Sequence, residues 1–331
     1  MDFDNQSGLA AKLLRADLPQ PDMTLAVVVA KACGVFNGLG HMRLEPELEV
    51  PFQTTNAPHP YGHIPSDLAI RKDGMDVLAL GRAYHPELAG GGESRVSLSV
   101  GDETRQLRIF GERTWYRTHA GHWAISEPIP FSLLDLTWSN SFGGRSFDDF
   151  GNDVQHALNP EGKGVIGCED AIEHTSLPNI EDPAELVCAW TDQPRPFNIA
   201  PAPKAIAIDH EQAMPATAQL KREPYRVPAE LWNDAVARFR FHDVERGSLL
   251  TLAGMSEQPL HAIVPALALT ARVHLGPTSS SVPLQLDTVL FLPESKRCTF
   301  TWRGAFTYRF EPRQLRSVVL QRSQGLVQFD H

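Results

Sequence analysis

The chain has 331 residues, of which 42% are hydrophobic and 21% are charged, and it includes 24 glycines and 26 prolines. This composition excludes a wholly disordered protein and is typical of one large globular domain or two modest ones. The 30 basic and 40 acidic residues give a net charge of −10, which disfavours binding to nucleic acid or insertion into an anionic membrane, because both attract positively charged proteins.

The start of the chain and its cysteines indicate where the protein resides. The first residues are acidic, and the apolar run over residues 25–30 ends at Lys31, so we expect neither a secretory signal nor a membrane span. Cys33, Cys168, Cys188 and Cys298 have no C-x-x-C spacing and are expected to be free thiols. We therefore expect a cytoplasmic protein.

The first part of the chain is predicted to be mostly β-strand. A short helical signal covers residues 9–15. Alternating apolar residues then predict a strand over residues 42–52 and a hairpin over residues 96–109, which is the clearest signal in the chain. A second hairpin is expected around residues 119–121, and a further strand runs into the glycine turn at residues 143–144.

The periodicity is lost over residues 145–187, which hold ten acidic residues and two basic ones. Such a segment is most often a solvated loop, with a surface for a partner as the alternative. If it binds a partner, Asp148, Asp149 and Asp153 are candidate contacts. Trp138, just before the segment, is either a core anchor or an aromatic contact for the partner.

The remainder of the chain returns to strands after an irregular connection. A capping pattern predicts a short helix over residues 182–190. Residues 191–228 contain seven prolines and are predicted to be an extended connection, while residues 228–241 are the best helix candidate. Strands are expected in the segments that follow: residues 249–252, 260–264, 267–275, 289–292 and 298–310.

These signals predict a mainly β protein. We expect two packed antiparallel β-sheet, sandwich-like halves with a few short helices and long irregular connections. The expected organisation is an N-terminal arm, an N-terminal β domain, a proline-rich connection and a C-terminal β domain, with bounds 1–21, 22–190, 191–228 and 229–331.

Residues that could carry chemistry are few. The sequence contains no H-E-x-x-H, G-x-S-x-G, P-loop or strand-linked G-x-G-x-x-G motif. His59 and His63 are separated by a proline and a glycine, which excludes the helix that would align them as metal ligands. Asp148 and Asp149 could form a carboxylate pair, and they support the alternative hypothesis of a β-rich hydrolase or carbohydrate-active enzyme. We predict no catalytic, cofactor-binding or metal-binding residue.

Seven patches of sequence, taken in order, resemble a known family. They are residues 26–31, 66–72, 75–83, 111–115, 130–131 with 142–144, 159–164 and 177–181. In this order they resemble the bacterial family called domain of unknown function 2169, over about residues 22–200 and more weakly to residue 303. The resemblance offers no catalytic residues.

The resemblance implies a function in type VI secretion. Members accompany type VI secretion genes and are regarded as adaptors or chaperones of secreted effectors. This chain would then be a non-enzymatic adaptor whose partners are a toxin effector and the VgrG and PAAR components of the spike, and it would use no cofactor.

The motif residues are expected to have structural roles. The glycines suit a positive φ or a close approach of backbone at strand ends, Asp76 and Arg113 are expected in ion pairs or as backbone caps, and Trp115 is expected in the core. The full set is Asp76, Gly81, Gly111, Arg113, Trp115, Phe142, Gly143, Gly144, Asn159, Gly162, Gly164, Pro178 and Asn179.

Overall fold

A computed structural model of the protein describes residues 1–17, 22–86, 91–203, 232–309, 311 and 316–323. Throughout these residues the regular structure is β-strand, with 3-10 turns of three residues at Trp138–Asn140, Glu169–Ala171, Ala237–Phe239 and Pro293–Ser295. The prediction of a mainly β protein is confirmed. Within the same residues, no helix combines the length and the apolar character that crossing a membrane requires.

The larger of the two main sheets has ten strands. They are β1 (Asp2–Asn5), β2 (Ala10–Asp17), β3 (Met23–Phe36), β4 (Met42–Glu45), β7 (Met75–Ala79), β19 (Arg240–Phe241), β22 (Leu269–Leu275), β23 (Thr278–Leu292), β24 (Arg297–Arg309) and β25 (Arg316–Arg322). Their main order is β1-β25-β22-β23-β24-β3-β2, while β4 pairs with β3 and β7 lies between β23 and β19. Strand β3 is rich in valine and alanine and is almost completely buried, as expected for a strand covered on both faces.

The second main sheet has five strands. They are β9 (Glu93–Val100), β10 (Glu103–Phe110), β18 (Ile180–Glu181), β20 (Leu249–Ala253) and β21 (Leu260–Ile263). Their order is β18-β10-β9-β20-β21, and every pair is antiparallel. The hairpin predicted over residues 96–109 is β9–β10, whose alternating Val96, Leu98, Leu107 and Ile109 are buried.

Both main sheets contribute to one hydrophobic core and combine strands from the two halves of the chain. Val28 and Phe300 of the larger sheet and Leu98 and Leu252 of the smaller one belong to this core. Because β3 bonds to β24 and β9 bonds to β20, the expected β domains at 22–190 and 229–331 do not form separate sheets. Alternation of apolar residues specifies the buried face of a strand but not its partner.

The described part of the expected connection over residues 191–228 is packed against the core, whereas a linker would lie in solvent. Residues 204–228 lie outside the described residues. Just before them, Ile199 and Ala200 are buried in the core, and the Ile199 carbonyl accepts the N–H of Ala79 at 3.2 Å. This part of the chain packs on the sheets because burying its apolar side chains is favourable, even though its prolines keep the backbone irregular.

Two expected structures in the first part of the chain differ from the prediction. Residues 9–15 are not helical, because strand β2 pairs with β3 along its whole length, and such pairing outweighs a weak helix propensity. The strand expected over residues 42–52 ends at Glu45, directly before Pro46, which cannot donate a ladder hydrogen bond.

The two other predicted helices are also wrong in the described residues. Residues 182–190 form turns, in which Asp182 Oδ1 accepts the N–H of Ala184 at 2.9 Å. Of residues 228–241, those from 232 onward form a 3-10 turn and β19. Asn233 and Asp234 each donate to the carboxylate of Asp76, which is distant in the sequence. These bonds to strand β7 replace the hydrogen bonds that a helix would form.

Five small strand pairs complete the fold of the described residues. They are β5 (Ala57–His59) with β6 (Gly62–Ile64), β8 (Arg82–Tyr84) with β13 (Leu133–Asp135), β11 (Trp115–Arg117) with β12 (Trp123–Ile125), β14 (Phe142–Gly143) with β17 (Lys163–Gly164), and β15 (Arg145–Phe147) with β16 (Asp153–Gln155). The hairpin predicted around residues 119–121 is β11–β12. Beside these pairs lies a second, smaller core that includes Trp115, Phe142 and Leu177.

Candidate protein-binding surface

A network of buried charged side chains joins the strands of the larger sheet. Lys72 Nζ lies 2.7 Å from Asp76 Oδ2, 2.9 Å from Asp234 Oδ2 and 2.8 Å from Thr288 Oγ1. Burial alone would lower the pKa of Lys72, but the Asp234 and Asp76 carboxylates outweigh it and the pKa is raised. Asp76, expected in an ion pair or as a backbone cap, has both roles, since it also accepts the N–H of Asp234 at 2.8 Å.

The network continues through a second group of ion pairs. Arg303 on β24 pairs with Asp287 on β23, and Lys31 Nζ on β3 lies 2.8 Å from Asp67 Oδ2. Burial raises the pKa of Asp287 even though Arg303 and Lys72 oppose that shift. Because these side chains face one another and are shut off from solvent, the network fixes strands against one another and offers no group to a partner.

A loop-built region, residues 111–195 outside the five-stranded sheet, lies beside the smaller core. Gly143 has φ +148°, and a Cβ there would lie 2.1 Å from the Asn159 carbonyl oxygen. Gly144 has φ +98°, and a Cβ there would also collide with backbone. The Asn159 amide donates to the carbonyls of Trp138 at 2.8 Å and Phe142 at 2.9 Å. These contacts require glycine at both positions and fix the backbone in the middle of the region.

The other motif glycines divide into two groups. A Cβ would lie 1.8 Å from the Ile129 carbonyl oxygen at Gly111, 2.6 Å from the Ser141 carbonyl oxygen at Gly162, and 2.9 Å from a Pro178 side-chain carbon at Gly164. These three lie where chain segments approach closely. At Gly81 the nearest atom would be the flexible end of Met255 at 3.3 Å, so neither a positive φ nor a close backbone accounts for that glycine.

A buried ion pair ties the loop-built region to the five-stranded sheet. Arg113 bonds to Glu181 on β18 and donates to the Pro178 carbonyl at 2.7 Å. Burial raises the pKa of Glu181, and Arg113 opposes that shift. The Asn179 side chain donates to the Phe110 carbonyl at 2.9 Å. The motif residues at 111–115 and 177–181 therefore hold two chain segments together.

Hairpin β15–β16 is part of the loop-built region, and its tip has a fixed conformation. We call this tip, residues 148–152, the acidic tip. Asp148 Oδ1 accepts the backbone N–H groups of Phe150 at 2.9 Å and Asn152 at 2.8 Å, and Asp148 Oδ2 accepts the Asn152 side chain at 3.0 Å. These hydrogen bonds, chiefly those from Asn152, lower the pKa of Asp148. Asp148 is thus the cap of the turn rather than a free contact residue.

The acidic tip and the strands beside it expose two aromatic rings between carboxylates. The Phe150 side chain is 89% exposed and Phe147 is 44% exposed. Asp149 and Asp153 are exposed next to them. An exposed aromatic ring on an ordered turn is a candidate contact for a protein partner, because a partner that buries the ring removes its apolar surface from water.

The structure brings together three of the four predicted contact residues. Asp148, Asp149 and Asp153 share one hairpin, whereas Trp138 is buried and its Nε1 donates to the Pro201 carbonyl at 2.8 Å. Trp138 is a core anchor because its ring fills the main core. Sequence reasoning missed the two exposed phenylalanines of this hairpin, Phe147 and Phe150. Their signal was an aromatic residue on each side of an acidic pair, in a turn closed by glycine and asparagine.

The residues considered for chemistry have other roles in the described structure. The Asp148 carboxylate is occupied by its own turn, and its lowered pKa is opposite to the raised value that a general acid needs. His59 Nδ1 accepts the N–H of Tyr61 at 3.4 Å. In the ranges that the structure describes, no three His, Cys, Asp or Glu side chains are grouped to hold a metal ion. The four cysteines are not joined by disulfides.

Comparison with known proteins assigns the chain to a family. It matches the family model described as "Uncharacterized protein conserved in bacteria (DUF2169)" over residues 22–303. The matched range includes strands of both main sheets, the loop-built region and hairpin β15–β16. Neither the comparison with curated proteins nor the comparison with solved structures finds a match. Because the family model covers most of the 331 residues, the chain belongs to the DUF2169 family, the domain of unknown function 2169.

Proposed function

We propose that this chain is a non-enzymatic, cytoplasmic adaptor that binds a type VI secretion effector and helps load it onto the VgrG/PAAR spike. Family membership and the role that the motif resemblance implies support the choice of partners. The observation that carries a binding role is the acidic tip, where Phe150 is 89% exposed on a turn fixed by Asp148.

The chemistry of the acidic tip defines the surface it would bind. Transferring a phenylalanine ring from water into a pocket is worth about 2–3 kcal/mol, and the fixed turn reduces the entropy lost on binding. Asp149 and Asp153 surround the rings with negative charge, within a segment of ten acidic and two basic residues. The complementary partner surface is therefore an apolar pocket bordered by lysine or arginine, and charge would speed the encounter more than it tightens the complex.

Removal of the exposed rings tests the binding role. The tagged protein, expressed in its own host, is expected to co-purify with one effector or with a spike component. Phe147→Ser with Phe150→Ser should lower recovery of that partner at least about tenfold while leaving the melting temperature nearly unchanged. Tyr116→Ser is the matched control, because Tyr116 is 42% exposed and Phe147 is 44% exposed; equal loss in the control would show that the acidic tip is not the binding surface.

Deletion of the gene tests the adaptor role itself. It should abolish delivery of one effector into target cells and leave assembly of the secretion machine intact. If delivery of every effector survives the deletion, the adaptor proposal is wrong.

The contribution of charge can be measured separately from that of the rings. Asp149→Asn with Asp153→Asn should slow association about threefold to tenfold at low salt, and added salt should erase the difference. Asp102→Asn with Glu103→Gln neutralises a second acidic turn, between β9 and β10, and should have little effect. A salt-independent loss in both variants would exclude steering by the acidic tip.

A further inference from the structure

Strand β13 has an outer edge that no described strand covers, because its small sheet contains only β8 and β13. The Leu136 N–H donates to the Gly81 carbonyl on the β8 side at 3.1 Å. Alternate residues of an antiparallel strand bond to the same neighbour, so Leu134 also bonds toward β8. The backbone groups of Leu133 and Asp135 consequently point away from β8, toward the outer edge. The Asp135 carbonyl already accepts the Asn140 side chain at 2.8 Å, so a further strand would bond to the N–H and C=O of Leu133 and to the N–H of Asp135.

An open cleft of about 340 Å³ runs along this outer edge. Its walls include Ile129, which is 60% exposed, and Leu133, which is 47% exposed. Glu112 and Asp135 also line it, and no basic side chain does. Lys163 approaches Glu112 from outside at 3.0 Å. Arg82 lies opposite Asp135 on β8, but it is bonded to Glu294 at 2.7 Å, so Asp135 is the carboxylate of the cleft that no described ion pair neutralises. We call this feature, with the outer edge of β13, the edge cleft.

We propose that the edge cleft binds an extended, basic peptide segment of a partner protein, which adds to β13 as a second neighbouring strand. The segment would place one apolar side chain against Ile129 and Leu133 and a basic side chain beside Asp135. This inference rests on the proposed function, since an adaptor that joins two proteins needs a second surface besides the acidic tip.

Three features of the edge cleft favour this occupant. Outward-pointing N–H and C=O groups at Leu133 give an extended chain its main-chain hydrogen bonds, and the apolar walls give it an anchor. The carboxylates of Glu112 and Asp135 favour lysine or arginine beside that anchor. The same carboxylates disfavour an anionic small molecule, and they also repel the acidic tip of a second copy of this chain.

A peptide of twelve residues that alternates lysine and valine is the probe, used with the purified full-length protein. Saturating peptide should slow hydrogen exchange at the Leu133 and Asp135 amides at least fivefold, a change that side-chain contact alone would not cause. A peptide that alternates glutamate and valine should bind at least tenfold more weakly, because Asp135 repels it.

Variants locate the bound peptide on the protein. Leu133→Pro removes an outward N–H that β8 does not use and should weaken peptide binding at least tenfold. Leu133→Ser keeps the N–H and should weaken it about threefold, which also provides a test if the proline variant does not fold. Leu249→Ser is the matched control, since Leu249 is 48% exposed and Leu133 is 47% exposed, and it should bind the peptide as the unmodified protein does.

Any of three results would overturn the proposal. The peptide does not bind, it binds without slowing hydrogen exchange at the Leu133 and Asp135 amides, or Leu133→Ser and Leu249→Ser weaken peptide binding equally. Each of these leaves the adaptor role intact if gene deletion still abolishes delivery of one effector. Conversely, delivery that survives deletion with normal peptide binding would reject the adaptor role and retain the edge cleft.

Discussion

The two main sheets and the loop-built region are held together in different ways. In the sheets, backbone hydrogen bonds join neighbouring strands, and side chains from both sheets share one large core. In the loop-built region, the contacts are made by individual residues, such as the Asn159 amide on two carbonyls and Arg113 on Glu181. The stability of the sheets is therefore spread over many similar contacts. The loop-built region depends on a few individual hydrogen bonds and ion pairs, and its other contacts cannot replace one that is lost.

The sizes of the two cores explain the difference. The smaller core of the loop-built region consists of Trp115, Phe142, Val165, Ile166, Ile172, Leu177 and Val187, with a few partly buried neighbours. Apolar burial scales with area, so this core supplies less free energy than the main one. Bonded polar side chains and glycines at close approaches must therefore define the shape of the region.

The largest effect, up to about 6 kcal/mol, is expected from Gly143→Val. Backbone strain at φ +148° costs about 1–3 kcal/mol, and the collision of the new Cβ with the Asn159 carbonyl adds about 1–3 kcal/mol. Chemical unfolding should therefore show a loss of about 2–6 kcal/mol. Gly151→Val is the control, because Gly151 has φ +77° with open space around it, and it should lose only about 1–2 kcal/mol. If the unfolding free energy of Gly143→Val equals that of the unmodified protein, the loop-built region does not depend on this glycine.

The next effect is expected from Lys72→Met, in the buried charge network of the larger sheet, which also depends on individual polar residues. The variant removes the Lys72 ammonium from the buried Asp76 and Asp234 carboxylates and should destabilise the protein by about 3–5 kcal/mol. Arg43→Met removes an ion pair with Glu45 in which the Arg43 side chain is 84% exposed, and it should cost less than about 1 kcal/mol. Equal losses in urea unfolding would show that burial does not set the cost.

The smallest effect is expected at the acidic tip, as a dependence on pH. Because hydrogen bonds lower the pKa of Asp148 in the folded protein, the order that they give the turn is present above the ordinary pKa of aspartate. It is lost as the pH falls through the lowered value. Protection of the Phe150 and Asn152 amides against hydrogen exchange should decrease in that range, with the melting temperature almost unchanged.

Two variants check that Asp148 is the group responsible for the pH dependence of the turn. Asp148→Ala should show the low protection already at neutral pH, and Asp149→Ala should behave as the unmodified protein does. Protection in Asp148→Ala that matches the unmodified protein at neutral pH would contradict the assignment of Asp148 as the cap.

The same contrast decides how much of the fold could be predicted from the sequence. Hairpin β9–β10 was predictable because Val96, Leu98, Leu107 and Ile109 alternate on each side of a glycine turn. Strand β2 was not, because its residues are good helix formers and only the bonds to β3 make it extended. The pairing of β3 with β24 could not be predicted either, because the sequence of a hydrophobic strand does not specify which distant strand it pairs with.

The candidate surface was predictable in place but not in chemistry. Acidic composition and lost periodicity indicated the segment that contains Asp149 and Asp153. The role of Asp148 depends on the distances from its carboxylate to two backbone N–H groups, which composition does not contain. Trp138 was ambiguous because a tryptophan beside a loop can belong to a core or to an interface. Its burial and its bond to the Pro201 carbonyl decide for the core.

The pairing of β3 with β24 has a consequence for biosynthesis. On one edge β3 is bonded to β2 and β4, which lie close to it in the chain, but β24 on its other edge begins at residue 297. While the ribosome is making the intervening chain, a long and almost wholly apolar strand keeps one edge of open hydrogen-bonding groups, a template for aggregation. Nascent or truncated chains that stop before β24 consequently leave this edge open, and pairing along it is delayed until residues 297–309 have been made.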